Sequence, residues 1–240
     1  MATPIPDMAL EERLLDEGAT LVAGIDEVGR GAWAGPVTVG VVVIDISSQL
    51  PPQGLRDSKA LSAAARQRLA PEVVRWARDS AVGHASPEEC DELGMRSAIA
   101  LASSRAMESL SVRPDAVIVD GPVDLLAAND LLFASKVATH RWRATPPTRT
   151  EAIIKADQTC ASVAAASVVA KVARDALMAA LAPSFPAFDL DSNVGYPSAA
   201  HQRALRGYGL TSIHRRSWSF TEGIPWLVGA LRDGRGGRIP

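Results

Sequence analysis

Thr20–Ile25 and Val37–Ile46 are two apolar, β-branched runs separated by a loop too short to hold a crossover helix. Two strands joined so closely must lie antiparallel as neighbours in one sheet. The second run, Val37-Thr-Val-Gly-Val-Val-Val-Ile44, carries no charge and is plainly a strand. Whatever the rest of the chain does, it must cover this pair.

The loop between the strands carries the most chemistry in the chain. It begins Asp26-Glu27-Val28-Gly29-Arg30-Gly31. Adjacent carboxylates at a strand end suit a hard divalent cation, which takes oxygen ligands. Gly-Arg-Gly offers unshielded backbone N–H groups and one cation, a combination suited to a phosphate or a sugar hydroxyl. Taken alone, an Asp-Glu dipeptide is more often a solvated turn than a metal site. Gly29, Gly31 and Gly35 also invite a dinucleotide-binding reading, but that fingerprint must open a helix at the pyrophosphate. Here the loop runs through Pro36 into a strand, so the reading fails. Acids beside a loop shaped for a nucleotide backbone point towards a nuclease. Neighbours in a regular strand point to opposite faces, so Asp26 and Glu27 predict a distortion or a strand end at that pair.

At 240 residues, 47% hydrophobic and 22% charged, the chain can bury a substantial core as one domain with a small appendage. A net charge of −2 gives no global signal for nucleic acid, but residues 201–240 hold seven arginines against Glu222 and Asp233. Residues 1–20 are acidic and lack a basic-then-apolar leader pattern. No apolar run is long enough to span a membrane. Cys90 and Cys160 are the only cysteines, which implies no disulfide framework and fits a reducing cytoplasm. With four histidines besides, a zinc site of ordinary spacing is not expected.

Met8–Glu17 predicts a short acidic helix. Ser62 is a plausible N-cap for an Ala/Arg-rich helix that Pro71 should kink or restart. Ala81–Ala85 reads as a third strand. Ser86-Pro-Glu-Glu89 is a capping box, and its helix should break near Gly94 and resume as Met95–Leu110, with Ile99, Ala102, Ala106 and Leu110 on one face. Val117–Asp120 is a short buried strand, residues 123–150 read as irregular, and Glu151–Lys155 as a further strand. Ser162–Leu181 predicts a long helix whose inner face is mostly small: Val163, Ala166, Ala170, Ala173, Leu177. The tail after Gly234 reads as disordered.

Three elements thus end in acids: Asp26–Glu27, Asp120 and Asp157. In α/β sheets sites gather at strand ends. Four carboxylates converging there would hold two Mg²⁺ or Mn²⁺ ions roughly 3.5–4 Å apart, a pair able to drive phosphodiester hydrolysis.

Several segments then resemble, in order, the type 2 ribonucleases H, in particular the bacterial ribonuclease HII family. They are Val22-Ala-Gly-Ile-Asp-Glu-Val-Gly-Arg-Gly31, Asp57-Ser-Lys59, Val119-Asp-Gly121, Lys155-Ala-Asp157 with Ala164–Lys171, Gly195-Tyr-Pro-Ser-Ala-Ala-His201 and His214-Arg-Arg-Ser-Trp218. The likeness covers roughly residues 20–220. It implies an α/β ribonuclease H-like mixed sheet flanked by helices, with residues 1–182 as catalytic domain (1–19 an N-terminal extension) and 183–240 as a small helical and loop appendage ending in a basic tail. It implies a monomeric endonuclease that hydrolyses the RNA strand of RNA–DNA hybrids and incises 5′ of a single ribonucleotide in duplex DNA, leaving a 3′-hydroxyl and a 5′-phosphate.

The resemblance makes Asp26, Glu27, Asp120 and Asp157 the metal-binding acids. Gly29, Arg30 and Gly31 would read the ribose 2′-hydroxyl, the group that separates RNA from DNA at a site. Tyr196 would pack on the next sugar, a deoxyribose. Lys59, Arg215 and Arg216 become candidates for phosphate contacts. Asp57, Asp175, Asp189 and Asp191 are read as hydrogen-bonding or surface groups, Cys160 as a buried small side chain, and His214 as structural or phosphate-contacting rather than a proton shuttle.

Two departures from the family stand out. The gap between Asp120 and Asp157 is long and includes His140-Arg-Trp-Arg143, read here as a disordered loop rather than a basic flap. Asn193-Val194 replaces a basic residue before Gly-Tyr-Pro. The alternatives are another two-metal DNA nuclease of the same fold, which leaves Gly-Arg-Gly and Tyr196 without a purpose, and a non-catalytic nucleic-acid binder, for which clustered acids are costly.

Overall fold

The computed structural model describes residues 5–45, 50–121 and 147–224. The segment around His140–Arg143 and the tail beyond Gly234 lie outside them. In chain order the main elements are α1 (Ala9–Asp16), β1 (Leu21–Val28), β2 (Val37–Asp45), α2 (Ala63–Trp76), β3 (Asp79–Ala85), α3 (Pro87–Ser109), β4 (Ala116–Asp120), β5 (Arg149–Ile153), α4 (Ala156–Thr159), α5 (Ala161–Leu181), α6 (Leu190–Asn193) and α7 (Ala199–Tyr208). The described strands form a sheet in the order β3-β2-β1-β4-β5. β1–β2 and β2–β3 pair antiparallel, whereas β1–β4 and β4–β5 pair parallel. This is a mixed sheet flanked by helices, with the first two strands antiparallel neighbours as their short connection requires.

Both faces of the sheet are covered, which explains why β2 is almost uniformly apolar instead of alternating. Val37, Val39, Val41 and Val43 pack with Ala23, Ile25, Val117 and Val119 against α3. Val42 and Ile44 pack with Val22 and Ile118 against α5, α2 and α1. α5 sits unusually close because Gly24 and Gly40 leave room for it. A Cβ on Gly24 would collide with the backbone of Ser162 and Val163, and one on Gly40 with the Ala166 carbonyl.

Local signals explain most element ends. Ser62 Oγ accepts from Ala65 N, and Ser86 with Glu89 completes the capping box of α3. Gly94, at φ 75° and ψ 158°, breaks α3 where the sequence places the break. Pro71 behaves otherwise, since α2 runs through it. It lies on the exposed face, where water can meet the carbonyl it leaves without a donor. β5 begins at Arg149 and ends at Ile153, two residues earlier at each end than its apolar core suggests.

The first and last described segments pack onto this frame through α5. Asp7 N donates to the Thr159 carbonyl, and Ala161 N donates to the Asp7 carbonyl. Glu11 is fully buried and accepts at Oε1 from Ser162 N (2.8 Å) and Oγ (2.7 Å), so the acidic helix caps the start of α5. At the other end of α5, Met178, Phe188, Leu190, Ala204, Leu205 and Ile213 form a core with Ala34 from the loop after β1. This third core brings the sequence after residue 183 against Gly-Arg-Gly. Among the described residues no helix is long and apolar enough to cross a membrane.

Candidate active site

Parallel pairing of β1 with β4 aligns Ile25 with Val119, so the next residue on each strand is an acid, Asp26 and Asp120. Their parity matches Val22, Gly24 and Ile118, which puts both on the α5 side. β5 then turns through Lys155, a non-glycine residue at φ 61°, into α4. Ala156 N donates to Asp120 Oδ1 (2.8 Å), which locks the end of β4 to the start of α4 and delivers Asp157 to the same corner. Asp26 and Asp157 are buried.

The expected distortion at Asp26–Glu27 does not occur. β1 stays in register with β2 through Asp26↔Gly40 and Glu27↔Val39 as far as Val28. The ladder to β2 holds the strand regular, and the break comes one step later, at Gly29. Glu27 therefore lies on the α3 face, but beyond the last β4 pair, where its carboxyl still feels Asp120.

Lys59 enters from a turn over Ser58–Ala60. Asp57 Oδ1 accepts from Lys59 N (3.0 Å), and Ser58 N donates to Ser167 Oγ on α5 (3.0 Å). Asp57 and Ser167 thus act as turn supports, and Lys59 Nζ lies 3.7 Å from Asp157 Oδ2. Burial first, and then the neighbouring Glu27, Asp120 and Asp157 charges, hold the Asp26 carboxyl well above the usual range. Burial and Asp120 push Asp157 up to about 6. Burial also raises Glu27, with Arg30, 3.7 Å away, pulling it back. Burial alone would lower the Lys59 ammonium, but Asp26, Asp57, Asp157 and Asp120 together carry it above its ordinary value.

The corner is therefore short of positive charge. Asp157 Oδ1 is buried with no hydrogen-bond partner. Hard oxygen donors, carboxyls held towards their neutral form by burial and by one another, and an orphaned oxygen together fit a divalent cation. As the side chains stand, no group of three or more His, Cys, Asp or Glu among the described residues is close enough to hold one, so an ion would have to draw them inward.

Beside the acids, Gly29 is buried at φ 84°, while Arg30 and Gly31 are exposed. The loop rests on two buried arginines. Arg215 is fully buried and donates from Nη1 to the Arg30 carbonyl (2.8 Å) and from Nη2 to those of Gly29 (2.7 Å) and Gly35 (3.2 Å). Its assignment as a phosphate contact is corrected: the guanidinium is turned inward, and burial lowers it to about 10. Arg216 and Lys59 remain exposed. Arg174 of α5 is the second post, and sequence reading missed it. The signal was the spacing Ala166, Ala170, Arg174, Met178, which continues the buried face of α5 where Ala173 and Leu177 had been expected.

Tyr196 stands beside the same loop. A Cβ on Gly31 would touch its ring at 3.9 Å. Trp33 N and Ala34 N both donate to the Gly195 carbonyl, at 2.9 and 3.2 Å, which ties the two loops together. Asn193 serves the same turn, accepting at Oδ1 from Gly195 N (2.8 Å). Below it runs a buried relay. Thr211 N donates to His214 Nδ1 (3.1 Å), which leaves the His214 proton on Nε2 to be given to His201 Nε2 (3.0 Å). His201 Nδ1–H then donates to the Tyr196 carbonyl (3.0 Å). Burial holds both rings neutral, His214 down to about 3, so His214 is structural as read.

The model of the family "Ribonuclease HII" matches residues 23–221. The chain belongs to the ribonuclease HII family. Membership makes it a ribonuclease H, an endoribonuclease acting on RNA–DNA hybrids, and gives it a nucleic-acid substrate. Ribonuclease HII of Streptomyces avermitilis is 47% identical over 93% of this chain and 88% of its own length. That of Paracoccus denitrificans is 43% identical over 89% and 92%. Among solved structures, ribonuclease H2 from Pyrococcus horikoshii superposes with a TM-score of 0.65 at 30% identity, covering 85% of this chain and 97% of its own. A Bst ribonuclease HIII solved in complex with Mn²⁺ shares the fold, with a TM-score of 0.62 at 20% identity over 88% of this chain and 71% of its own.

Proposed function

We propose that the chain incises duplex DNA on the 5′ side of a single embedded ribonucleotide, besides cutting the RNA of longer hybrids, and that it depends on Mg²⁺ or Mn²⁺. Asp26, Glu27, Asp120 and Asp157 would hold the metal. Two divalent ions there would supply an activated water and a counter-charge for the leaving 3′-oxygen, so that the products carry a 3′-hydroxyl and a 5′-phosphate. The chain's own residues bind and orient the substrate. Gly29, Arg30 and Gly31 present backbone groups and one exposed cation to the ribose 2′-hydroxyl and its phosphate. The Tyr196 ring packs on the following sugar, where a 2′-hydroxyl would spoil the contact. Lys59, whose Nζ lies 3.7 Å from Asp157, and the exposed Arg216 are the candidates to meet flanking phosphates.

One observation supports this reading: a Cβ added at Gly31 would lie 3.9 Å from the Tyr196 ring, so the proposed 2′-hydroxyl reader and the proposed sugar platform are neighbours. Tyr196→Ala tests it. Loss of a stacking platform is worth roughly 1–3 kcal/mol. Cleavage at a single embedded ribonucleotide should fall about 10- to 100-fold, with a smaller loss inside a long RNA–DNA hybrid. Kinetics on the two substrates decide the matter, and equal losses would remove Tyr196 from junction reading.

A further inference from the structure

We infer that Arg174 is a positioning residue that sets the spacing between Gly29–Gly31 and Tyr196, and through it the preference for an RNA-to-DNA junction. The inference rests on the junction reading above. Arg174 is fully buried, and its guanidinium touches both loops at once. It donates from Nε to the Pro36 carbonyl (2.9 Å) and from Nη2 to that of Ala34 (3.1 Å), both in the loop after β1. From Nη1 it donates to the Val194 carbonyl (2.8 Å), two residues before Tyr196. Its central carbon lies 5.5 Å from the centroid of the Tyr196 ring. A Cβ on Gly29 would collide with the same guanidinium, so the fold leaves that space to Arg174.

Two features argue that this group does more than fill a core. It forms no ion pair among the described residues, and burial lowers it from its ordinary value. A buried charge with no ion-pair partner, held by three carbonyls beside an aromatic ring, is a poor source of stability, since an apolar side chain of similar volume packs there without desolvating a cation. It does, however, hold strain. Val194 is β-branched and sits at φ 44°, ψ 36°, a left-handed conformation that is strained for such a side chain. The bond from Arg174 to the Val194 carbonyl helps keep that residue bent, and the bend aims Tyr196 at Gly31. A lysine keeps the charge but cannot span three carbonyls with one planar group.

The test uses the full chain with Mg²⁺ and two substrates, a DNA duplex with one ribonucleotide and a long RNA–DNA hybrid. The readout is the ratio of kcat/KM on the first to that on the second, for wild type, Arg174→Lys, Tyr196→Ala and the double variant. Arg174→Lys should lower the ratio about tenfold, mostly through KM on the junction substrate, and should lower it no further when Tyr196 is already alanine. An equal loss on both substrates, or the same drop in both backgrounds, would overturn the inference. If Tyr196→Ala alone leaves the ratio unchanged, the junction reading itself fails and takes this inference with it. Should the melting curve show Arg174→Lys unfolded at the assay temperature, Gly195→Ala replaces it. Gly195 is at φ 85°, and a Cβ there would strike the Ala34 carbonyl, forcing the same two loops apart. It should lower the same ratio, and an unchanged ratio would overturn the inference.

Discussion

Asp120→Asn should reduce cleavage in Mg²⁺ by roughly 10³-fold or more, the order lost when a group that fixes transition-state charge is removed, while the protein still melts within a few degrees of wild type. The two halves of this expectation have separate causes. Asparagine keeps an oxygen able to accept from Ala156 N, so the link from β4 to α4 survives. It removes a negative charge that Asp26, Glu27 and Asp157 all feel, which relieves repulsion in the metal-free fold. What disappears is one of four anionic oxygen donors at the corner. Turnover in Mg²⁺ with circular-dichroism melting checks both halves. Near-normal turnover would take Asp120 out of the metal site, and a collapsed melting curve would make it a structural residue.

Arg215→Met should destabilise the fold by about 3 kcal/mol, because the Arg30 and Gly35 carbonyls lose the donor that Arg215 gives them, the Gly29 carbonyl keeps only Ala32 N, and each unpaired buried acceptor costs roughly 1–3 kcal/mol. The sum is held below its upper limit because methionine also removes a buried cation whose Nε has no partner. For a chain of this size, that corresponds to a fall in Tm of roughly 6–12 °C. Activity should fall on both substrates, since the loop proposed to read the 2′-hydroxyl loses its support. Thermal melting beside kinetics tests this, and an unchanged Tm would mean that Arg215 does not hold the loop.

What could be read from the sequence was local. The hairpin of β1 and β2 followed from loop length, the α3 cap and break from Ser86, Glu89 and Gly94, and the acids from their place after apolar runs. What could not be read was which charges turn inward. Arg215 belongs to an arginine-rich tail whose default reading is surface, and its partners are carbonyls 180 or more residues earlier in the chain. No local pattern encodes such a pairing. Glu11 is the same case at the other end, an acid in an exposed-looking helix that caps α5. Arg174 was within reach, because its spacing from Ala166 and Ala170 places it on the buried face of α5. Pro71 misled because a proline disrupts a helix less where water can satisfy the carbonyl it leaves free.

The most direct measurement compares two otherwise identical DNA duplexes in Mg²⁺, one carrying a single ribonucleotide and one all DNA. The acids beside Gly-Arg-Gly and Tyr196 should cut only the first, in the strand with the ribonucleotide and on its 5′ side, leaving a 3′-hydroxyl and a 5′-phosphate. Equal cutting of the all-DNA duplex would contradict a site built around the 2′-hydroxyl.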